Sequence, residues 1–478
     1  MFLLSDIMQS NASKIHLQSD VAPHSDVLFR SAQHDSRLVA PGDLYIALKG
    51  ERVDGHTFIP AAAQAGAIGA LCNQAVTDVP PDFLQFVVPN VGEALVALAR
   101  MRASRQKNTT IVAITGTNGK TITKDAIAAV LESSAPTLKT YASYNNEIGL
   151  PLTLLRLEEQ HRYAVLEMGA EWVGELRWLC SIVQPHWSVV TNVGSTHLKT
   201  FGSPEGVAQA KGELVEALDS NGIAILNYDD PIVRTMQQRT VARVLYYGLQ
   251  DGAEVQATEI DGDPLYGQSF LLKYQDRRVR IQLQLPGRHS ISAALAAASI
   301  GFLSGVSDEA IQKALSSLHA GQGRGEVKVG PNGSKLIDDS FKANRQSILV
   351  GIDMMYQTRL APEGRRWAIL GDMLDLAQYS VDEHYATGKF LGGKVDYLVA
   401  IGDQARYYIE GALEAGLPRE HCYYFEADPG NPVQLDAAKQ SAAALLLKNV
   451  QSNDILLLKA SHPLSLHTMI ESFSTRKD

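Results

Sequence analysis

Short apolar runs alternate with segments of helical spacing through the middle of the chain. The runs are rich in β-branched residues, which favours strands that are buried on both faces. The predicted strands of this part are residues 110–115, 163–169, 187–193 and 222–227. Because strands that alternate with helices form parallel sheets, the pattern predicts an α/β fold with a central parallel sheet.

The last third of the chain repeats the pattern with strands of its own. The predicted strands are 367–370, 397–401 and 455–458, and the first two end in Gly-Asp. This predicts a Rossmann-like C-terminal domain with polar groups at the carboxyl edge of its sheet. No Gly-x-Gly-x-x-Gly follows a strand, so a dinucleotide cofactor is not expected. Between the two parallel sheets, residues 240–285 are predicted to form antiparallel strands.

The first hundred residues predict a small α/β domain. A strand is expected at 44–48 and a helix at 91–101, and a polar linker begins at Arg102. A chain of 478 residues is long enough for about three domains of roughly 150 residues. We therefore expect domains at 1–105, 106–318 and 319–478.

Composition narrows the class of protein. Hydrophobic residues make up 45% of the chain and charged residues 20%, which is typical of a soluble globular protein. The net charge of −9 argues against a nucleic-acid partner, and no apolar run of about 18 residues predicts a membrane span. The N-terminus has no basic segment followed by a long apolar one, so we expect a cytoplasmic protein. We also expect a monomer.

The clearest chemical motif follows the strand at 110–115. Two glycines, a lysine and a hydroxyl come between this strand and a helical segment, the order found in loops that cradle phosphates. Glycine lets backbone N–H groups curl around phosphate oxygens, and the helix N-terminus adds favourable potential. The loop is shorter than the usual P-loop. It predicts nucleotide contacts at Gly116, Thr117, Asn118, Gly119, Lys120 and Thr121.

Two further polar residues are expected at the same sheet edge. Glu167 ends an apolar strand, where a carboxylate is costly unless it is paired or metal-bound, and it fits as a Mg²⁺ ligand. His197 follows the next strand. On the residues alone, His197 is more simply a hydrogen-bonded loop histidine, because nitrogen is a poor ligand for Mg²⁺.

Several segments together resemble the Mur ligase family, and the resemblance covers nearly the whole chain. The segments that carry it are 115–121 (Thr-Gly-Thr-Asn-Gly-Lys-Thr), 145–151 (Asn-Asn-Glu-Ile-Gly-Leu-Pro), 167–170 (Glu-Met-Gly-Ala), 192–194 (Asn-Val-Gly), 210–213 (Ala-Lys-Gly-Glu), 286–289 (Pro-Gly-Arg-His) and 338–340 (Asp-Asp-Ser). The resemblance implies a UDP-sugar domain, an ATP domain and a domain for the incoming amine. It also implies an ATP-dependent ligase that forms an amide through an acyl phosphate, with D-alanyl-D-alanine or a related amine as donor and a UDP-sugar-peptide as the carboxylate.

The resemblance also assigns roles to single residues. Catalysis would fall to Lys120, Glu167, His197 and Lys211, and Mg²⁺ to Thr121, Glu167, His197 and Lys211. Lys211 would be carbamylated, whereas on the residues alone it is a surface lysine of a helix. ATP would also be contacted by His289, Arg324 and Asp339, and the other substrates by Ser36, Arg37, Asn145, Asn146, Lys459 and Ser461.

The sequence departs from the family pattern at several positions. Ser290 and Ala293 replace asparagines expected beside the adenine, which leaves the base selectivity open. Phe341, Lys342 and Arg345 replace a tyrosine, an asparagine and a proline, and His462 replaces an arginine. Two alternatives therefore stand beside the main interpretation: a ligase of a specialised pathway with another amine donor, and a non-catalytic nucleotide-binding relative.

Overall fold

The structure is a computed structural model. It describes residues 1–10, 15–19, 27–50, 53–194, 196–321 and 323–474. Three sheets of five, nine and six strands follow one another along the chain, with a short two-stranded sheet at the N-terminus. The structure is thus α/β, as the alternation of apolar and amphipathic segments predicts.

The five-stranded sheet is formed by the N-terminal part of the chain. The strands of this part are β1 (Phe2–Leu3), β2 (His16–Gln18), β3 (Leu28–Phe29), β4 (Ala32–Gln33), β5 (Leu44–Ile46), β6 (Gly69–Cys72) and β7 (Leu84–Val87). The helices are α1 (Leu4–Gln9), α2 (Ile59–Gln64) and α3 (Val91–Arg105). Strands β4 to β7 pair in parallel, while β2 joins β7 antiparallel and β1 pairs with β3.

The predicted polar linker at Arg102 is wrong, because α3 continues to Arg105. Tertiary contacts extend the helix beyond its apolar pattern. Arg102 donates to the carbonyl of Leu157 at 2.7 Å, and Arg105 pairs with Asp6 of α1. Charged side chains that find partners on neighbouring elements can thus continue a helix that the hydrophobic pattern ends.

The middle sheet has nine strands in the order β16-β15-β14-β13-β12-β11-β8-β10-β9. These strands are β8 (Thr110–Thr115), β9 (Thr137–Lys139), β10 (Tyr163–Glu167), β11 (Trp187–Val190), β12 (Ile223–Asn227), β13 (Arg243–Gly248), β14 (Val255–Asp263), β15 (Gly267–Tyr274) and β16 (Arg277–Leu283). The helices are α4 (Lys120–Glu132), α5 (Gly149–Leu154), α6 (Glu175–Ile182), α7 (Leu198–Phe201), α8 (Pro204–Glu216), α9 (Pro231–Thr235), α10 (His289–Leu303) and α11 (Asp308–Ser316).

The antiparallel prediction for residues 240–285 holds only for the last strands. β13 pairs parallel with β12 over five residues and so extends the parallel sheet, and only β14, β15 and β16 form an antiparallel meander. Helix α10 begins at His289, and its whole central part is buried. The direction of β13 is set by its pairing with a neighbouring strand rather than by its own sequence pattern.

The C-terminal sheet has the order β17-β18-β22-β19-β20-β21, and all pairs are parallel except β17 with β18. Its strands are β17 (Glu326–Val329), β18 (Lys335–Asp338), β19 (Arg366–Gly371), β20 (Tyr397–Ile401), β21 (Cys422–Phe425) and β22 (Ile455–Lys459). The helices are α12 (Arg345–Gln357), α13 (Ser380–Phe390), α14 (Arg406–Glu414), α15 (Pro432–Asn449) and α16 (Thr468–Ser474). The Rossmann-like expectation is confirmed.

None of the helices in the described ranges combines the length and the apolar character that crossing a membrane requires. The three sheets fall within the predicted segments 1–105, 106–318 and 319–478, but the exact boundaries stay a prediction.

Candidate functional site

The phosphate-type loop lies between β8 and α4 at the carboxyl edge of the middle sheet. Two of its glycines are required by geometry. A Cβ on Gly116 would lie 2.0 Å from the hydroxyl of Thr191, and Gly119 has φ of +79° immediately before the helix. The backbone therefore turns tightly, and the N–H groups of the loop lie at the N-terminus of α4.

The loop is held in place by the segment that follows β11. The side-chain oxygen of Asn192 accepts from the backbone N–H of Asn118 at 2.9 Å, and the hydroxyl of Thr117 accepts from the N–H of Gly194 at 2.9 Å. On its other side, Asn118 exchanges hydrogen bonds with the side chain of Asn344, which precedes α12 of the C-terminal sheet. The loop is thus fixed at the junction of two sheets.

Lys120 begins helix α4. Its ammonium donates to the carbonyls of Gly116 and Thr117 at 2.8 and 3.4 Å, and no carboxylate of the described residues forms an ion pair with it. Desolvation by the surrounding protein lowers the pKa of Lys120. The next residue, Thr121, places its hydroxyl 3.5 Å from that of Ser143. Both side chains therefore lie at the mouth of the loop.

Glu167 ends β10 and is 1% exposed. One carboxylate oxygen accepts from the amide of Asn145 at 2.7 Å, while the other is buried without a hydrogen-bond partner in the described part of the chain. A buried carboxylate oxygen without a partner is costly, and hard cations such as Mg²⁺ prefer this kind of ligand. Together with the hydroxyl of Thr121 and the phosphates of a nucleotide, Glu167 fits a Mg²⁺ site.

Lys211 is buried in α8, so its interpretation as a surface lysine is wrong. It shares the inward face of the helix with Val207, Ala210 and Leu214. Its ammonium donates to the carbonyl of Ala170 at 3.3 Å and lies 5.7 Å from the ring centre of Phe201. Burial, reinforced by Lys120, holds the pKa of Lys211 well below its ordinary value, which favours the neutral amine.

His197 lies directly before α7 in the left-handed conformation, with φ of +48°. Its Nδ1 is 4.0 Å from a carboxylate oxygen of Asp375, which is beyond hydrogen-bond distance. Desolvation, together with the charges of three nearby lysines, lowers the pKa of His197 to about 4. The imidazole is therefore neutral near pH 7 and available as an acceptor or ligand.

Four basic side chains surround the loop and Glu167, and we call them the basic cluster: Lys120, Lys211, Arg324 and Lys342. Within the described ranges, none of the four forms an ion pair within 4.0 Å of a carboxylate. Arg324 instead donates to the hydroxyl of Ser143 at 2.9 Å and stacks 4.0 Å from the ring centre of Phe341. Glu167 attracts Lys120, Arg324 and Lys342 electrostatically. Lys211 is repelled by Lys120 and Lys342, so the four side chains belong to one site.

Sequence reasoning marked Lys342 only as a departure from a pattern and did not place it in this cluster. The signal that could have found it is its position between Asp339 and Asn344, in a segment that follows a buried strand end. The described residues contain no group of three or more His, Cys, Asp or Glu side chains that could hold a metal by themselves. A metal here would therefore need ligands from the nucleotide or from a modified lysine.

The C-terminal candidates lie beside the cluster but have protein partners. Lys459 donates to the carboxylate of Asp339 at 2.5 Å and to the carbonyl of Lys342 at 2.9 Å. The hydroxyl of Ser461 accepts from the N–H of Leu374 at 3.0 Å. The two bonds of Lys459 hold the segment that carries Lys342.

The two positions next to the predicted adenine contact are buried. Ser290 donates its hydroxyl to the carbonyl of Pro286, and Ala293 faces inward on α10. His289 begins this helix, and desolvation by the surrounding protein lowers the pKa of its imidazole while Asp339 acts in the opposite direction. A nucleotide could contact His289 without involving Ser290 or Ala293.

The substrate contacts predicted in the N-terminal part lie next to the middle part of the chain. Ser36 and Arg37 lie in a short 3-10 helix, and Arg37 is exposed and paired with Asp35 at 2.6 Å. The ring of His34 packs edge-on against Tyr144, which brings this turn next to Asn145 and Asn146 of the middle part. Asn146 caps α5 by accepting from the N–H of Gly149 at 3.0 Å.

The fold and this edge define the class of protein, and sequence comparison gives it a name: the chain belongs to the Mur ligase family. Family models match residues 30–103 (Mur ligase family, catalytic domain), 114–301 (Mur ligase middle domain) and 323–462 (Mur ligase, glutamate ligase domain). The chain is 33% identical to the UDP-N-acetylmuramoyl-tripeptide--D-alanyl-D-alanine ligase of Mycobacterium tuberculosis, covering 95% of this chain and 94% of that protein.

Solved structures agree with the sequence comparison. MurF from Acinetobacter baumannii superimposes with a TM-score of 0.83 at 27% identity, covering 99% of this chain and 98% of that one. MurF ligase from Thermotoga maritima, solved in complex with ADP, gives a TM-score of 0.77 at 25% identity over 94% and 98% of the two chains. The predicted family, the three-part fold and the ligase class are confirmed.

Proposed function

We propose that this protein is an ATP-dependent ligase that joins D-alanyl-D-alanine to the carboxylate of UDP-N-acetylmuramoyl-tripeptide. The names of the sequence relatives and the ADP bound to a structural neighbour support this substrate set. The comparisons give no support to a specialised pathway or to a non-catalytic relative.

The observation that carries the proposal is the basic cluster. Among the residues that the structure describes, the four basic side chains around the glycine loop and helix N-terminus have no carboxylate partner, and one buried oxygen of Glu167 has no partner either. Such an arrangement favours a polyanion together with a cation that bridges the anion to Glu167. ATP with Mg²⁺ has this chemistry.

In the proposed reaction, a substrate carboxylate oxygen attacks the γ-phosphorus of ATP and the bond to the β-phosphate oxygen breaks. The amine then attacks the acyl carbon, phosphate leaves, and the amine loses a proton as the amide forms. Lys120 and the loop N–H groups bind the outer phosphates, and Arg324 binds them from the C-terminal side. Mg²⁺, held by Thr121 and Glu167, would neutralise phosphate charge.

Lys211 is proposed to act after carbamylation. Its depressed pKa favours the neutral amine, whose nitrogen can attack carbon dioxide and then lose a proton, so that a cation becomes a carboxylate-like ligand. His197, also neutral, would complete this second metal site. The assignments of His289 and Asp339 to the nucleotide are likewise proposals.

The remaining assignments follow from the same function. Ser36, Arg37, Asn145 and Asn146 would contact the UDP-linked substrate at the junction of the first two parts, and Lys459 and Ser461 the amine side. A cytoplasmic location, a monomeric state and the domain boundaries 1–105, 106–318 and 319–478 stay predictions.

The experiment that tests the function measures phosphate release from ATP and identifies the product by mass spectrometry. We expect release only when UDP-N-acetylmuramoyl-tripeptide, D-alanyl-D-alanine, ATP and Mg²⁺ are all present. The variant Lys120→Ala should lose this activity, whereas Lys313→Ala, an exposed lysine of α11, serves as the matched control and should keep it.

Two outcomes would contradict the proposal. If only another amine gives product, the ligase chemistry stands and the donor is wrong. If no carboxylate and amine pair releases phosphate and Lys120→Ala binds nucleotide as well as the wild type, the protein is a non-catalytic relative.

A further inference from the structure

The side chain of Lys342 is a cation without a bonding partner in the part of the chain that the structure describes. It is half-buried in the basic cluster, and the residues that the structure describes give its ammonium neither a hydrogen bond nor an ion pair. Its charge is opposed by Lys120 and Arg324 and favoured by Glu167 and Glu171. A lysine enclosed among other cations is unfavourable unless an anion joins them.

The backbone around Lys342 is held firmly from two sides. Lys459 donates to its carbonyl at 2.9 Å and pairs with Asp339 three residues earlier. Two residues later, the amide of Asn344 bonds to that of Asn118 in the phosphate loop at 2.8 Å. The segment 339–344 therefore presents Lys342 to the same space as Lys120, but from the C-terminal sheet.

We infer that Lys342 contacts the phosphoryl group that is transferred from ATP, as a second lysine opposite Lys120. The inference rests on the proposed function, since it needs the outer phosphates of ATP beside Lys120. Lys120 approaches from the helix N-terminus of the middle sheet, whereas Lys342 approaches from the part that would bring the amine. A cation in this position would bind the γ-phosphate, which ADP lacks.

The test compares affinities for ADP and for the non-hydrolysable ATP analogue AMP-PNP, both with Mg²⁺, by calorimetry on the full-length protein. In Lys342→Met, AMP-PNP binding should weaken by about tenfold relative to ADP binding, because one charge-assisted contact to the γ-phosphate is lost. Lys342→Arg should keep most of the preference. Lys448→Met, an exposed lysine of α15, is the matched control and should leave both affinities unchanged.

The outcomes separate this inference from the proposed function. If Lys342→Met weakens ADP and AMP-PNP equally, or weakens neither, the inference is wrong. ADP binding also shows that the variant is folded. If the wild-type protein releases phosphate with both substrates but the ratio of affinities is unchanged in Lys342→Met, the proposed function stands without Lys342. If the wild type binds neither nucleotide, both fail.

Discussion

Two buried carboxylates at opposite ends of strands show how differently the same group is used. Asp454 precedes β22 at the amino edge of the C-terminal sheet, and its two oxygens accept from Arg365, Trp367 and the backbone of Gln451. Glu167 ends β10 at the carboxyl edge of the middle sheet, and one of its oxygens has no partner in the described residues. The first carboxylate stabilises the fold, and the second is available to a ligand.

The contrast extends to the lysines and arginines around the two groups. Arg365 is paired with Asp454 at 2.7 Å, whereas Lys120, among the described residues, donates to two carbonyls of its own loop and to no carboxylate. In this pair of carboxylates, the one with complete pairing is structural, and the one with incomplete pairing lies in the candidate active site.

The largest effect that tests this contrast is expected for Glu167→Gln. Ligase activity should fall by about a thousandfold, as for loss of a group that stabilises transition-state charge. Stability should not decrease, because the substitution removes a buried charge and leaves an oxygen for Asn145. The measurements are kcat/KM and the thermal midpoint; a large drop of the midpoint with activity preserved would contradict the contrast.

Lys211→Ala should lower activity by about a hundredfold if a carbamate carries metal binding. Short carboxylates such as acetate should restore part of the activity, because they can occupy the space of the missing group. The same carboxylates should have no effect on Lys313→Ala. Full activity of Lys211→Ala without additive would show that the modification is not needed.

Asp454→Asn should reduce stability and spare the chemistry. The amide cannot accept from Arg365 and Trp367 as the carboxylate does, and the partly exposed guanidinium loses its charged partner, so the free energy of opening the sheet should fall by about 3 kcal/mol. Hydrogen exchange of strand 366–371 measures this energy. Activity per folded molecule should remain within about twofold; a larger loss would contradict the structural role.

The smallest effect concerns the pH dependence of stability. Burial raises the pKa of Asp372 to about 6 in the folded protein, above its ordinary value near 4. The folded state then binds more protons than the unfolded state between about pH 4 and 6, so this group reduces stability as pH rises through that window, by about 2 to 3 kcal/mol in total. Below pH 4 the contribution vanishes.

Asp372→Asn should remove this dependence. Hydrogen exchange of strand 366–371 measures the free energy of opening. As the pH rises from 4 to 6.5, this free energy should increase in the variant relative to the wild type. A difference that is constant over this range would show that Asp372 titrates normally.

Local patterns predicted the strand, the loop and the helix start at the centre of the candidate site. The strand at 110–115, its glycine loop and the helix from Lys120 agree with the structure, since each is specified by neighbouring residues. The burial of Lys211 was missed on the residues alone, although its position between Val207 and Leu214 on one helical face indicates it.

Features that depend on distant partners could not be predicted. The direction of β13 depends on pairing with β12, and the length of α3 depends on Leu157 and Asp6. Glu213, which follows the motif lysine, caps α6 by accepting from the N–H groups of Gly174 and Arg177. The position of Lys342 beside Lys120 likewise comes from contacts between two sheets that no local pattern contains.

Neutral amides link the phosphate loop to the C-terminal sheet, namely those of Asn118, Asn344 and Gln346. Ionic strength screens charges but barely affects bonds between uncharged groups. Salt would therefore weaken the attraction of the basic cluster for a polyanion while leaving the hydrogen bonds between these amides intact. The protein can lose affinity for its nucleotide in concentrated electrolyte without losing the alignment of the parts that must meet around it.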